Sequence, residues 1–276
     1  MLSRRHARLA PALVLLLGAL TACAGGATAD AGTSPVPLAP APDAVLASPE
    51  VTGPATLTAD DFIRTVVDAQ VTAQSYDFTL SLGSGDELMA MNGSMHLGGG
   101  SPSFAMFVLM PDAPPMTIRS VAGMNYVSLG DVTGGKFLAV DPQDTSHPLT
   151  AVFADSMSQV DPTMGLGEQE AAVVSVTPDG GPVDLDGTQV QRYEVVVDPS
   201  KMPEKLAQLE AGLPPGMEVP ETLTYTYVVD TEGRIQMVTF DVLGIRGRMG
   251  FSNWGSGTPV EAPTAEEITT EDPFTG

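Results

Sequence analysis

Residues 75–97 read SYDFTLSLGSGDELMAMNGSMHL. Tyr76, Phe78, Leu80 and Leu82 alternate with polar neighbours, and after the turn Gly83-Ser84-Gly85-Asp86 the residues Met89, Met91 and Met95 share one parity with Gly93 and Leu97. Side chains of a strand point alternately to opposite faces, so a period of two marks a strand with one face buried. Two such runs around a Gly/Ser/Asp turn predict a β-hairpin. The opposite parity of the second run carries Asn92, Ser94 and His96, which belong on the wetter face.

The same reading extends outward. On the N-terminal side, 58–73 predicts a helix: Phe62, Val66 and Ala69 mark one face with Ile63 and Val67 beside it, and Asp60 and Asp61 favour its start by their charge. On the C-terminal side the run SFAMFVLM at 103–110 is apolar on both parities, and 115–121 with 124–129 form a second hairpin around Ala122-Gly123. A short strand at 136–140 ends at Asp141-Pro142. Residues 148–170 predict one or two short helices broken at Pro162. Strands then return at 171–177 and 188–198, with a short helix at 200–211. Leu223, Tyr225, Tyr227 and Val229 share one parity, and Asp230-Thr231-Glu232-Gly233 turns that strand into 234–243. A strand at 245–251 follows, and 261–276 is an acidic, loop-like tail. The sum is a mostly antiparallel sheet of about ten strands with an N-terminal helix and helical insertions, an α+β chain.

The first residues carry a different message. Arg4, Arg5 and Arg8 precede the uncharged run LAPALVLLLGAL at 9–20. That run is shorter than the about 20 apolar residues a spanning helix needs, and its flanks are those of a signal peptide. The next residues, Leu20-Thr21-Ala22-Cys23, resemble the bacterial lipobox. The resemblance implies cleavage before Cys23, a diacylglycerol thioether on its sulfur, and anchorage to the outer face of the cytoplasmic membrane. An ordinary secretory signal and a retained transmembrane helix are the other readings of the segment. Cys23 is the only cysteine, so no disulfide within the chain competes for it. The expected organisation is a signal peptide at 1–22, a lipidated flexible tether at 23–57, a folded domain at 58–260 and the tail at 261–276. The tether is rich in Ala, Gly, Pro, Ser and Thr and has too few large apolar residues to offset its ordering entropy.

Charge narrows the partners. The chain has 12 Lys+Arg against 34 Asp+Glu, a formal charge of −22. Loss of residues 1–22 removes three arginines and no acid, leaving 9 basic residues against 34 acidic ones, near −25. Such a surface has few cations for phosphates, which argues against nucleic acid as a partner. It also argues against flat adsorption on anionic lipid headgroups, so membrane contact rests on the lipid at Cys23.

The order of elements and several strings resemble the LppX/LprAFG-like lipoproteins of mycobacteria and other actinobacteria, and more distantly the LolA/LolB-type half-barrel carriers. The strings are SYDFTLSL, MNGSMHL, MNYVSLG, KFLAVDP and PLTAVFADSM, then DLDGTQVQRYEVVVDPSK and the hairpin LTYTYVVDTEGRIQMVTFDV. The chain departs from the family in having a single tryptophan, Trp254, and a Met-rich second strand. The resemblance implies a strongly curved half-barrel whose concave side is covered by helices. It also implies an apolar cavity for the acyl chains of a lipid or lipoglycan.

Met89, Met91, Met95, Met106 and Met110, with Phe104 and Val108, are the cavity candidates that the residues themselves offer. Methionine suits adaptable apolar surfaces, and it fills ordinary cores equally well, so both readings stand. No enzyme constellation is visible, and neither a metal nor a cofactor is expected. His96 and His147 are isolated, no HExxH, GxSxG or P-loop sequence occurs, and the glycines of GLGEQE at 165–170 lack the phosphate-loop lysine. Two functions remain. One is a membrane-anchored lipid carrier; the other is a non-catalytic envelope scaffold that serves a membrane transporter or sensor.

Overall fold

A computed structural model of the chain describes residues 56–84, 87–98, 102–111, 113–150, 166–212 and 218–273. Its framework is two antiparallel meanders joined edge to edge. The first runs β1 (Ser75–Ser84), β2 (Glu87–His96), β3 (Ser103–Leu109), β4 (Met116–Val121), β5 (Met124–Ser128) and β6 (Phe137–Val140). The second comprises β7 (Val173–Pro178), β8 (Val183–Leu185), β9 (Thr188–Val197), β10 (Leu223–Asp230), β11 (Ile235–Val242) and β12 (Ile245–Ser252). Strand β1 pairs with β12, setting Phe78 opposite Phe251 and Leu80 opposite Met249. With β13 (Ile268–Thr269) this gives one 13-stranded sheet in the order β13-β6-β5-β4-β3-β2-β1-β12-β11-β10-β9-β7, with β8 on β9.

Alternation places one continuous apolar face across the sheet. Tyr76, Phe78, Leu80 and Leu82 of β1 are all buried, as are Met89, Met91 and Met95 of β2. The glycine among those methionines has a steric reason. Phe78 faces Gly93 across the pair, and a Cβ at Gly93 would lie 2.8 Å from Phe78 Cζ and clash with the Ala105 carbonyl. Phe240 and Gly247 repeat the arrangement between β11 and β12: a Cβ at Gly247 would overlap the Phe240 ring. In both places an aromatic ring covers the space its glycine partner leaves empty.

Three α-helices occur among the described residues: α1 (Phe62–Ala73), α2 (Leu166–Ala172) and α3 (Pro203–Gly212). The stripe expected on α1 is the one buried: Phe62, Val66, Val67 and Ala69, with Gln70 among them. Phe62 is fully enclosed and meets Tyr193 and Tyr227 edge-on. In the turn before the helix, Asp61 Oδ1 accepts the Thr58 backbone N–H at 2.6 Å. Gln74 ends it in the left-handed region, at φ 63°.

The half-barrel expectation is overturned. The sheet has 13 strands rather than about ten, and it is neither closed nor strongly curled. Among the described residues no cover of helices lines a concave side; the described helices have 12, 7 and 10 residues. Bulges supply most of the bend in a curled sheet. Among the described pairings, register shifts occur only at Val228/Val229 and Val173/Ser175, while the β1–β6 meander runs in unbroken register. Two of the strands that alternation did not show are short edge pieces. Strand β8 has three residues and β13 two, too few for alternation to show. Strand β13 makes a parallel pair with β6, so residues in the acidic tail join the sheet. The tail is held further by the Arg119 side chain, which donates to the Glu261 carbonyl at 3.4 Å, and by His147 Nε2 on Asp272 Oδ2 at 3.0 Å.

Candidate functional site: an apolar cavity under the first helix

Helix α1 does not lie flush on the sheet. Ile63, Val66 and Val67 form one wall of a cavity whose floor is one face of β10, β11 and β12. The floor is made by Tyr225 and Tyr227 of β10, Ile235 and Val238 of β11, and Met249 and Phe251 of β12. Pairing explains why these side chains meet. Tyr225 stands opposite Phe240, Tyr227 opposite Val238, and Val238 opposite Met249, so the floor follows one face across three strands. Val173 of β7 and Val197 of β9 extend it, and Gln169 of α2 with Met202 and Lys205 beside and within α3 complete the rim.

The cavity has a volume of about 70 Å³ and is partly open to solvent. That is smaller than the about 150 Å³ of an apolar cavity that takes up benzene, so it accommodates only part of a slender apolar segment.

Polar groups are few and lie mostly at the rim. Burial pushes the Tyr225 phenol up to about 12 and the Tyr227 phenol higher still, so both remain neutral hydroxyls at physiological pH. Burial also pulls the Lys205 ammonium below its ordinary value, and the nearby Glu168 carboxylate opposes that only in part. Gln169 Nε2 is buried without a hydrogen-bond partner among the described residues. Nothing in this lining pairs a nucleophile with a base, so the arrangement offers binding and no catalytic pair. Among the described residues no group of three His, Cys, Asp or Glu side chains could hold a metal, and no helix is long and apolar enough to cross a membrane.

The residues singled out in the sequence lie elsewhere on the same face. Met89, Met91 and Met95 are buried on β2, and Phe104 and Val108 are buried on β3. The register brings them together, with Met95 opposite Phe104, Met91 opposite Val108 and Gly93 opposite Met106. Met106 is half-buried against this cluster, and Met110, beyond the end of β3, is 36% exposed. None of the seven lines the cavity under α1, whose methionines are Met202 and Met249. Cys23, with the signal and most of the tether expected before residue 58, lies outside the described residues. His96 Nε2 donates to the Thr258 carbonyl (2.8 Å). His147 is a structural clasp: its Nδ1 accepts the Leu149 N–H, which leaves Nε2 to carry a proton toward Asp272.

The floor was partly visible in the sequence, since the parity of Tyr225, Tyr227 and Val229 and the stripe of α1 were both readable. The rim was not. No local pattern tells that Gln169 and Lys205, from separate segments, face the same space.

No protein-family model matches the sequence, and no curated protein matches it. Among solved structures, the chain is distantly similar to the Mycobacterium tuberculosis lipoprotein LppX, at 14% identity over 74% of this chain and 98% of that one, with a TM-score of 0.48. It is similar to LprF from Mycobacterium bovis at 14% identity over 75% and 97% of the two chains, with a TM-score of 0.49. MucB in complex with the periplasmic part of MucA matches at 13% identity over 77% of this chain and 62% of that one, with a TM-score of 0.39. Likeness at this level says nothing about what the chain binds.

Proposed function

We propose that this chain is a non-catalytic envelope lipoprotein that takes up an acyl chain in the cavity between α1 and strands β10–β12. The observation that carries the reading is the lining. Ile63, Val66, Val67, Val238, Met249 and Phe251 present an apolar surface that is neither filled nor fully closed, in a domain with no catalytic pair beside it. Apolar surface left accessible beneath a helix is costly unless something covers it, and an acyl segment gains roughly 0.8 kcal/mol for each CH₂ it buries.

The lipobox-like Leu20-Thr21-Ala22-Cys23 supports the cellular setting. A diacylglyceryl group at Cys23 would hold the domain on the outer face of the cytoplasmic membrane, where lipid is at hand, with residues 23–57 as the tether. The acidic body, near −25, would stay off the anionic surface by charge while the anchor keeps it close. Transport of the bound lipid, with a membrane transporter as donor or acceptor, is the physiological role that fits this placement.

The test is mass spectrometry of lipid extracted from full-length Cys23→Ser protein prepared without detergent. The reading expects a lipid at near one per chain, reduced by the cavity-filling variant Val238→Phe and by the α1 variant Val67→Phe, with folding checked by circular dichroism. Lipid-free preparations of the parent protein, or lipid unaffected by both fillings, would overturn it.

A further inference from the structure

The two polar groups at the rim of the cavity set its ligand class, and this step rests on the acyl-binding reading above. Lys205 of α3 and Gln169 of α2 line the same space as Ile63, Val66 and Met249. Lys205 forms no salt bridge among the described residues. The carboxylate that acts on it, Glu168, is on the exposed surface, and its attraction does not offset the loss of water around the ammonium. Gln169 Nε2 is likewise a buried donor with no acceptor among the described residues. A half-buried ammonium and a buried amide N–H, neither with an acceptor among the described residues, are costly beside an apolar wall, the amide more so. An acceptor-rich, negatively charged group that reached both from the shared space would relieve both.

We propose that the cavity binds a single-chain anionic amphiphile, whose carboxylate or phosphate accepts from Lys205 Nζ and Gln169 Nε2 while its chain runs beneath α1. The volume of about 70 Å³ leaves no room for two chains side by side and takes only part of one. The charge of Lys205 favours an anion over a neutral headgroup, and the scarcity of cations elsewhere makes the site distinctive: the whole chain has 12 Lys+Arg against 34 Asp+Glu. Several of the other basic side chains are engaged. Arg64 pairs with Glu170 at 3.0 Å and Arg234 with Asp230 at 2.7 Å, while Arg119 lies over the Phe137 ring at 4.6 Å. A carboxylate would come from a free fatty acid and a phosphate from a lysophospholipid; both present the same acceptor chemistry.

Titration calorimetry of full-length Cys23→Ser protein, stripped of endogenous lipid, separates the outcomes. The probes are palmitate, 1-palmitoyl-lysophosphatidate and methyl palmitate, all below their aggregation concentrations. The expected result is binding of at least one anionic probe about tenfold or more tighter than methyl palmitate. Lys205→Met and Gln169→Leu should each shrink that preference while leaving methyl palmitate binding within about twofold, and Lys205→Arg should retain most of it. Palmitate alone showing the preference would identify a fatty acid, and lysophosphatidate alone a lysophospholipid. Equal binding of charged and neutral probes, or a preference untouched by Lys205→Met, overturns the headgroup assignment and leaves acyl binding standing. Binding of none of the three overturns both.

Discussion

The ring of Phe62, the first residue of α1, meets the ring of Tyr227 on β10 edge to face, with centroids 5.1 Å apart and planes at 79°. One turn later Val66 and Val67 face the cavity, and Tyr227 contributes to its floor. The contact therefore fixes one end of the wall whose other parts leave space. Phe62 also meets Tyr193 at 5.9 Å, and Tyr193 Oη accepts the Leu57 N–H at 3.3 Å, so the chain leading into α1 is fastened at the same point.

Truncating this anchor should be expensive. Phe62 is fully buried, and Phe62→Ala is expected to lower stability by about 3–5 kcal/mol in urea unfolding. Phe62→Leu should cost less, because it retains most of the buried area. A loss below about 1 kcal/mol for the alanine variant would show that α1 is not seated as described.

The aromatic–glycine pairs make a second prediction. Gly247→Ala must displace the Phe240 ring, and overpacking of this kind costs about 1–3 kcal/mol. Gly181→Ala is the control. A Cβ there meets nothing within 4 Å and Gly181 does not have a left-handed backbone, so the change should be neutral or slightly stabilising. Thermal unfolding of the two variants should separate them clearly, and the double variant Phe240→Leu/Gly247→Ala should recover part of the loss.

Acid stability should depend on Asp77. Partial burial works to raise the Asp77 pKa, but hydrogen bonds from Asn253, Ser94 and both the backbone and hydroxyl of Thr258 outweigh it and hold the carboxyl below 3.8. A group with a depressed folded-state pKa stabilises the fold at pH above its unfolded value, and that contribution is lost as pH falls through the folded one. Stability should therefore decline below about pH 3.8, and Asp77→Asn should flatten that part of the profile. The Asn variant should also be less stable at neutral pH, because an amide cannot accept all the bonds given to the carboxylate. Parallel acid profiles for the two proteins would contradict this role.

Local periodicity carried much of the fold. The hairpin of β1 and β2, the stripe Phe62–Val66–Ala69 and the β10–β11 hairpin all announce themselves within a few residues. What stayed hidden was long-range. Alternation shows that Leu80 is buried, but it does not show that Met249, on β12, is its partner. Nor does it distinguish a sheet that curls from one that stays open, which depends on bulges at places such as Val228/Val229. The methionines of β2 and the tyrosines of β10 look equally suited to line a cavity from sequence alone. Their difference lies in what packs above them: α1 stands over β10 and leaves a space there. Gln169 and Lys205 were missed for the same reason, since each is an ordinary polar residue on a short helix until tertiary structure turns both toward one rim.

Photolabelling with a diazirine-bearing palmitate, followed by peptide mapping of the full-length Cys23→Ser protein, tests the cavity most directly. Saturable adducts on the peptide carrying Ile63–Val67 and on those carrying Tyr225–Tyr227 or Val238, competed away by unlabelled palmitate and weakened by Val238→Phe, are the predicted result. Adducts confined to other regions, such as the exposed Leu109 and Met110, or labelling that no competitor reduces, would contradict acyl binding under α1.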